Sequence, residues 1–185
     1  MKLLLATGNP HKVEELRAAL PGFEIHAFVA AGTPPEDGAT YLDNARIKAR
    51  HAREHAPADA WVVAEDSGIE ATALGGRPGI ESARWAEDGV AALLAALAHE
   101  ADRRVRYVSE LVVIAPDGEE LRGTGTLEGL AADEPRGTEG FGYDPIFIPL
   151  GKARTVAELG DTWKSEHSHR ALAAQALRER LRRAR

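Results

Sequence analysis

The sequence predicts an α/β fold built around a mixed sheet, and three observations carry that expectation. Strand-like and helix-like segments alternate from Lys2 to Ala64. A long hairpin pattern follows later in the chain, which an all-parallel sheet would not contain. The composition, 44% hydrophobic and 28% charged, is that of a globular chain rather than a disordered one. The 185 residues suffice for one compact domain, or for two lobes sharing a core. With no repeat, low-complexity linker or clean boundary in view, residues 1–185 read as a single domain.

Taken in order, Lys2–Ala6 is an apolar strand running into a Thr7-Gly8-Asn9-Pro10 turn. Lys12–Leu20 reads as a helix with Val13, Leu16 and Leu20 on one stripe, ended by Pro21-Gly22. Phe23–Val29 is a second strand, and the Gly/Pro-rich segment 32–39 is a loop. Tyr41–His55 is a helix, with Thr40 as N-cap and Asp43 three residues on, much as in a capping box. Trp61–Ala64 is a short apolar strand ending at Glu65-Asp66-Ser67-Gly68. Gly75, Gly76, Pro78 and Gly79 mark a tight loop, and Gly89–Glu100 an Ala/Leu-rich helix. Val105–Ala115 and Glu120–Leu130 flank Pro116-Asp117-Gly118 as a hairpin. A glycine-studded loop, 137–145, precedes a short strand, Ile146–Ile148. From about Ser168, its N-cap, a last helix ends in Arg-rich turns that suit the negative end of its dipole.

Composition also excludes. Cysteine is absent, which removes disulfides and thiolate metal sites. A net charge of -6 argues against nucleic acid as the main partner, although a few local cations can still capture a small anion. The longest strongly apolar run, Ala91–Ala98, is too short to cross a bilayer. The opening Met-Lys-Leu-Leu-Leu-Ala is interrupted at Gly8-Asn9-Pro10-His11, too early for a secretory signal. A cytoplasmic protein with no membrane partner is expected. Asn occurs only twice and Lys five times against eighteen Arg, and Asn9, Asn44, Lys12, Lys48 and Lys164 all fall in segments that bear on chemistry.

Five such segments stand out. Thr7-Gly8-Asn9-Pro10-His11-Lys12 joins a strand to a helix start, where backbone N–H groups, the helix dipole and Lys12 can take an anion, although taken alone it reads more readily as a plain strand-to-helix turn. No Walker A loop occurs. Glu65-Asp66-Ser67-Gly68 places two acids on opposite faces of a strand, so that they do different jobs. Asp66 can hold Mg²⁺ and orient a water, and Ser67 can touch a phosphate. Asp43 is a possible further carboxylate, with a capping role already in hand. In Gly140-Phe141-Gly142-Tyr143-Asp144-Pro145, glycines allow close backbone approach while Phe141 or Tyr143 can stack on a base. Lys164-Ser165-x-x-Ser168-His169-Arg170 sets three cation-capable side chains near a helix start. His51 and His55 stand at i, i+4, but that helix surface is highly charged and no third ligand is evident, so zinc is not expected.

In this order the segments resemble the inosine triphosphate pyrophosphatase family. The resemblance runs from Leu3 to about Arg170 and is carried by Ala6-Thr7-Gly8-Asn9-x-x-Lys12-x-x-Glu15, Asn44-Ala45-x-x-Lys48-Ala49, Asp66-Ser67-Gly68, Leu74-Gly75-Gly76-x-Pro78-Gly79-x-x-Ser82-Ala83-Arg84, Gly140–Pro145 and Lys164–Arg170. It implies an elongated mixed sheet with flanking helices, two lobes forming a nucleotide cleft, a homodimer, and Mg²⁺-dependent conversion of ITP, dITP and XTP to monophosphate and pyrophosphate. By carry-over, Asp66 is the general base and a metal ligand, and Asp43 stands at the position of the family's second metal carboxylate. Thr7, Gly8, Asn9, Pro10, His11, Lys12 and Ser67 contact the phosphates. Phe141, Gly142, Tyr143, Asp144, Lys164, His169 and Arg170 bind the rest of the nucleotide, base included. Asp43 replaces the family's usual Glu, Glu65 its usual Asp, and Glu139 a glycine, which questions the local loop geometry because Glu tolerates positive φ poorly. The competing readings are a pyrophosphatase of other nucleotides, a sugar-nucleotide hydrolase, or a nucleotide-binding regulatory module without turnover.

Overall fold

The computed structural model describes residues 1–32 and 34–184. Six strands form one sheet in the order β2-β1-β3-β4-β5-β6, where β1 is Lys2–Ala6, β2 Glu24–Phe28, β3 Trp61–Ala71, β4 Arg104–Ile114, β5 Glu120–Ala131 and β6 Phe147–Pro149. β1 pairs in parallel with β2 and β3, whereas β5 and β6 are antiparallel, so the sheet is mixed. The helices are α1 (Pro10–Ala19), α2 (Tyr41–His55), α3 (Gly89–Ala96), α4 (Val156–His167) and α5 (His169–Arg183).

The chain divides into two compact units that interleave along the sequence. The first holds Met1–Asp66, Ser109–Gly125 and Arg170–Arg185; the second holds Ser67–Val108 and Thr126–His169. In the first unit, Leu3, Leu5, Val63, Leu111 and Val113 form a core cluster with Leu16 of α1, Leu20 directly after it, and Ala173 and Leu177 of α5. Ala64, Val112 and Ile114, out of phase with them along β3 and β4, cluster with Ala45 and Ala49 of α2. Two-residue alternation therefore sends alternate side chains to α1/α5 and to α2. The second unit has its own core, in which Ile69, Leu93, Leu97, Tyr107, Ile146, Phe147 and Val156 pack together.

Several expectations need correction. Asn9, not a residue at Lys12, starts α1: its Oδ1 accepts the His11 N–H at 2.9 Å, and Pro10 takes the first helical position. β3 does not stop at Ala64. It continues through Glu65-Asp66-Ser67-Gly68 to Ala71, because the buried acids find charged partners and the ladder need not break. The strand placed at Ile146–Ile148 lies one residue later. The helix read to Glu100 ends at Ala96. α4 was not anticipated, since Gly160, with φ of 86°, interrupts it; yet Thr155 and Glu158 form a full capping box at its start. Ser168 is extended, closes α4 through its N–H to the Lys164 carbonyl at 3.0 Å, and stands directly before α5. α2 spans the expected residues and begins on the Thr40 cap. Of the 32–39 loop, Thr33 lies outside the described residues. Among those residues, no helix is long and apolar enough to cross a membrane.

Gly123 on β5 shows how closely α5 seats on the sheet. A Cβ there would run into the Ala173 carbonyl oxygen and approach Leu177 Cβ to 2.7 Å. Gly123→Ala is therefore expected to cost about 1–3 kcal/mol through overpacking, read as a lower urea midpoint. An unchanged midpoint would mean that α5 does not pack this closely.

Candidate active site

β3 turns its two acids to opposite faces of the first unit. Glu65 shares the face of Val63 and meets α1 and α5. Its Oε1 accepts from Arg170 Nε at 3.1 Å and Nη2 at 2.9 Å and from Ser109 Oγ at 3.0 Å, while Oε2 pairs with Lys12 Nζ at 2.7 Å. Arg170 Nη1 also pairs with Glu15. Arg170 is almost wholly buried; burial works against its charge, but Glu65 and Glu15 more than offset this and raise its pKa. Two carboxylates and two cations make this face electrically neutral.

Asp66 shares the face of Ala64 and meets α2. Lys48 Nζ lies 2.6 Å from Oδ1 and Asn44 Nδ2 donates to Oδ2 at 3.3 Å. Lys48 also reaches Glu36 at 3.2 Å, and the fully buried Asn44 accepts the Gly38 N–H at 2.9 Å. Asn44 and Lys48 stand at i, i+4, one helical face apart by a turn. Burial pushes the Asp66 pKa up, the Lys48 ammonium pulls it down, and the net direction is upward. Asp66 and Glu36 against Lys48 leave one negative charge over on this face.

That surplus, together with an all-oxygen carboxylate donor, fits a hard cation such as Mg²⁺, which takes one or two carboxylates plus substrate phosphates. Asp43 precedes Asn44 on α2. Its Oδ2 accepts from Thr40 Oγ1 at 2.7 Å and its N–H donates to the same hydroxyl, so it occupies its capping role. The Thr7–Lys12 segment is built as a helix start: Thr7 Oγ1 accepts the Asn9 N–H at 3.1 Å, and Gly8, Pro10 and His11 are exposed.

The second unit holds Phe141, Tyr143, Lys164 and His169 together with the buried carboxylate of Asp144. Asp144 accepts from Lys164 Nζ at 2.5 Å, the Phe141 N–H at 2.8 Å and Tyr107 Oη at 3.2 Å. The Lys164 ammonium lies 4.0 Å from the Phe141 ring centroid, a cation–π arrangement. Tyr107 stacks between Phe147 and His169, with centroids 4.4 Å away on both sides. Tyr143 donates to the Ser82 carbonyl at 2.9 Å and packs against Gly89; burial raises its pKa, so the hydroxyl stays protonated. Ser67, half-buried on β3, is the first residue of this unit.

Glu139 does not strain its loop. Among the described residues positive φ falls only on glycines, here Gly137, Gly140 and Gly142. Glu139 instead accepts the Asp161 N–H at 2.9 Å, restarting α4 after the Gly160 break. It thereby ties the loop of Phe141 to the helix of Lys164.

Asn44, Lys48 and Tyr107 escaped the sequence reading as site residues. For the first two the signals were their rarity and i, i+4 spacing; for Tyr107, one aromatic in a hairpin strand, there was none. Arg170 joins the Glu65 face of the first unit, whereas Lys164 and His169 belong to the second.

The Ham1 family model matches residues 3–180. The chain belongs to the Ham1 family. It is 42% identical over 195 residues to the dITP/XTP pyrophosphatase of Bdellovibrio bacteriovorus, covering 98% of each chain. It is 48% identical to the dITP/XTP pyrophosphatase of Symbiobacterium thermophilum, covering 97% of this chain and 94% of that one. Among solved structures it is similar to the Staphylococcus aureus Ham1 protein, with a TM-score of 0.87, 32% identity and full coverage of both chains. The resemblance seen in the motifs thus extends over the whole Ham1 fold.

Removing Arg170 strands buried carboxylates. Arg170→Ala is expected to cost about 3–5 kcal/mol, measured by urea unfolding. A stable variant with altered base preference would make Arg170 a base reader instead.

Proposed function

We propose that this Ham1 protein hydrolyses non-standard purine nucleoside triphosphates, dITP, ITP and XTP, to the monophosphate and pyrophosphate. The observation that carries the reading is the buried Asp66 carboxylate set against Lys48 and Asn44, in a chain 42–48% identical over nearly its full length to relatives named dITP/XTP pyrophosphatases. The reading includes Mg²⁺ dependence, a homodimer and a cytoplasmic setting, on the strength of the family resemblance.

In this account Asp66 takes the proton of a water that attacks the α-phosphorus, and pyrophosphate leaves. A base works best with a pKa near the working pH, and burial moves Asp66 in that direction. Lys48 and Asn44 orient the carboxylate and keep it charged. Lys12, poised on α1 beside Glu65, and the Thr7–Asn9 turn take the outer phosphates, and Ser67 a further phosphate oxygen. Mg²⁺, held by Asp66 with Asp43 as the second candidate carboxylate, supplies neutralisation of the charge that develops on the leaving pyrophosphate.

Phe141 is the ring assigned to stack on the base, since Tyr143 is buried and donates to Ser82. Asp144 acts as the hub that fixes Phe141 and Lys164. Inosine and xanthosine carry an acceptor oxygen at position 6 where adenosine carries an amino donor. Lys164 and His169 are the donors of the second unit that can read it; adenine would meet donor with donor, costing about 1–3 kcal/mol per unpaired group.

Three measurements test these roles. Asp66→Asn is expected to fold normally and lose about 10²–10⁴-fold in turnover; near wild-type activity would assign the base elsewhere. In wild type, kcat/KM falls as acid protonates Asp66, with the limb above the ordinary aspartate value of about 3.9. Lys48→Met removes the charge that lowers this pKa, so the limb moves to higher pH; a limb that stays put contradicts the pairing. Finally, kcat/KM for dITP, ITP, XTP, GTP and ATP is expected to favour the first three over ATP by up to about 10⁴-fold, and His169→Ala to shrink the ITP-to-ATP ratio. Comparable wild-type rates on ATP would sink the specificity argument, and binding without turnover would leave only a nucleotide-binding module.

A further inference from the structure

The last turns of α2 carry a second cluster that the proposed hydrolysis does not use. His51, Glu54 and His55 each offer one ligand atom, and the three atoms lie within 4.8 Å of one another. Their i, i+3, i+4 spacing sets them on one strip of helix surface. Three atoms so placed share a centre no farther than about 2.8 Å from each, against zinc–ligand distances of about 2.0–2.2 Å. Closing the difference takes at most about 0.8 Å of side-chain movement per ligand.

Both rings are already oriented. His51 Nε2 lies 3.0 Å from the Ala31 carbonyl oxygen, and His55 Nδ1 lies 2.8 Å from the His51 carbonyl oxygen. A carbonyl can only accept, so the touching nitrogen carries the proton and the opposite nitrogen of each neutral ring keeps its lone pair. A backbone hold on one ring nitrogen is what orients histidine ligands in metal sites. Glu54 sits in the final turn, where the negative end of the helix dipole opposes an acid. Arg53 is turned onto the carbonyls of Ala56, Pro57 and Ala60.

We propose that His51, Glu54 and His55 form a surface site for a late first-row divalent metal, with Zn²⁺ as the reference ion and water in the open positions. Two imidazoles and one carboxylate suit Zn²⁺, Ni²⁺ or Cu²⁺ and not Mg²⁺, so the site is chemically separate from the Asp66 carboxylate. Glu54 is the third ligand that the histidine pair lacked when read from sequence.

The test is calorimetric titration of ZnCl₂ into metal-free, untagged full-length protein held in millimolar Mg²⁺. One saturable site is expected, weakened at least about tenfold by His51→Ala and by His55→Ala, and measurably by Glu54→Gln. Zn²⁺ should raise the thermal midpoint of wild type and not that of the double histidine variant. No saturable binding, or less than tenfold weakening in both histidine variants, overturns the proposal. So does binding that survives their loss and disappears in Asp66→Asn, which would place the ion at the catalytic carboxylate.

Discussion

The alternation of β3 through Glu65 and Asp66 is the constraint from which the first unit follows. A strand cannot send two consecutive side chains to one face. Two adjacent buried acids must therefore be neutralised by different elements, and the sequence supplies a separate set for each. Glu65 is met by Lys12 from α1 and Arg170 from α5, on the face that also packs Val63 into the main core. Asp66 is met by Asn44 and Lys48 from α2, on the face of Ala64. The three helices are pinned to the sheet by the same few residues that neutralise its buried acids.

The two faces differ in what they leave available. Around Glu65 the charges balance and Arg170 is closed off from solvent, which is the arrangement of a lock. Around Asp66 one negative charge remains, and the carboxylate is held by a lysine and an amide. The second unit repeats the first solution: Asp144 is buried, neutralised by Lys164, and spends its oxygens on positioning Phe141 and Tyr107. Buried ion pairs of this kind add little net stability compared with apolar packing, but removing one partner is costly, so they fix geometry.

Most of the fold was legible because its signals were local. The Thr40 cap defines the start of α2, the Val13, Leu16 and Leu20 stripe marks the first helix, and the hairpin announces itself through Pro116-Asp117-Gly118. What failed was local reading of segments decided by tertiary partners. Glu65-Asp66-Ser67-Gly68 looks like a strand end because isolated acids break strands; Arg170, 105 residues away in sequence from Glu65, is what lets β3 continue. α4 hides behind Gly160, whose positive φ a glycine accepts and after which the Glu139 carboxylate takes the Asp161 N–H. The Thr7–Lys12, Gly140–Pro145 and Lys164–Arg170 segments were recognisable as motifs, but not the contacts of Asn44, Lys48 and Tyr107, which depend on what faces them.

The central claim is the division of labour between neighbouring carboxylates, and Glu65→Gln tests it most directly through turnover per folded molecule. The substitution keeps the shape and removes the charge that Lys12 and Arg170 face. The account predicts a marked loss of stability with turnover per folded molecule within about tenfold of wild type, below the range expected for a lost acid/base group. A fully stable protein with turnover abolished would contradict it, because Glu65 would then be the chemical carboxylate and Asp66 the lock.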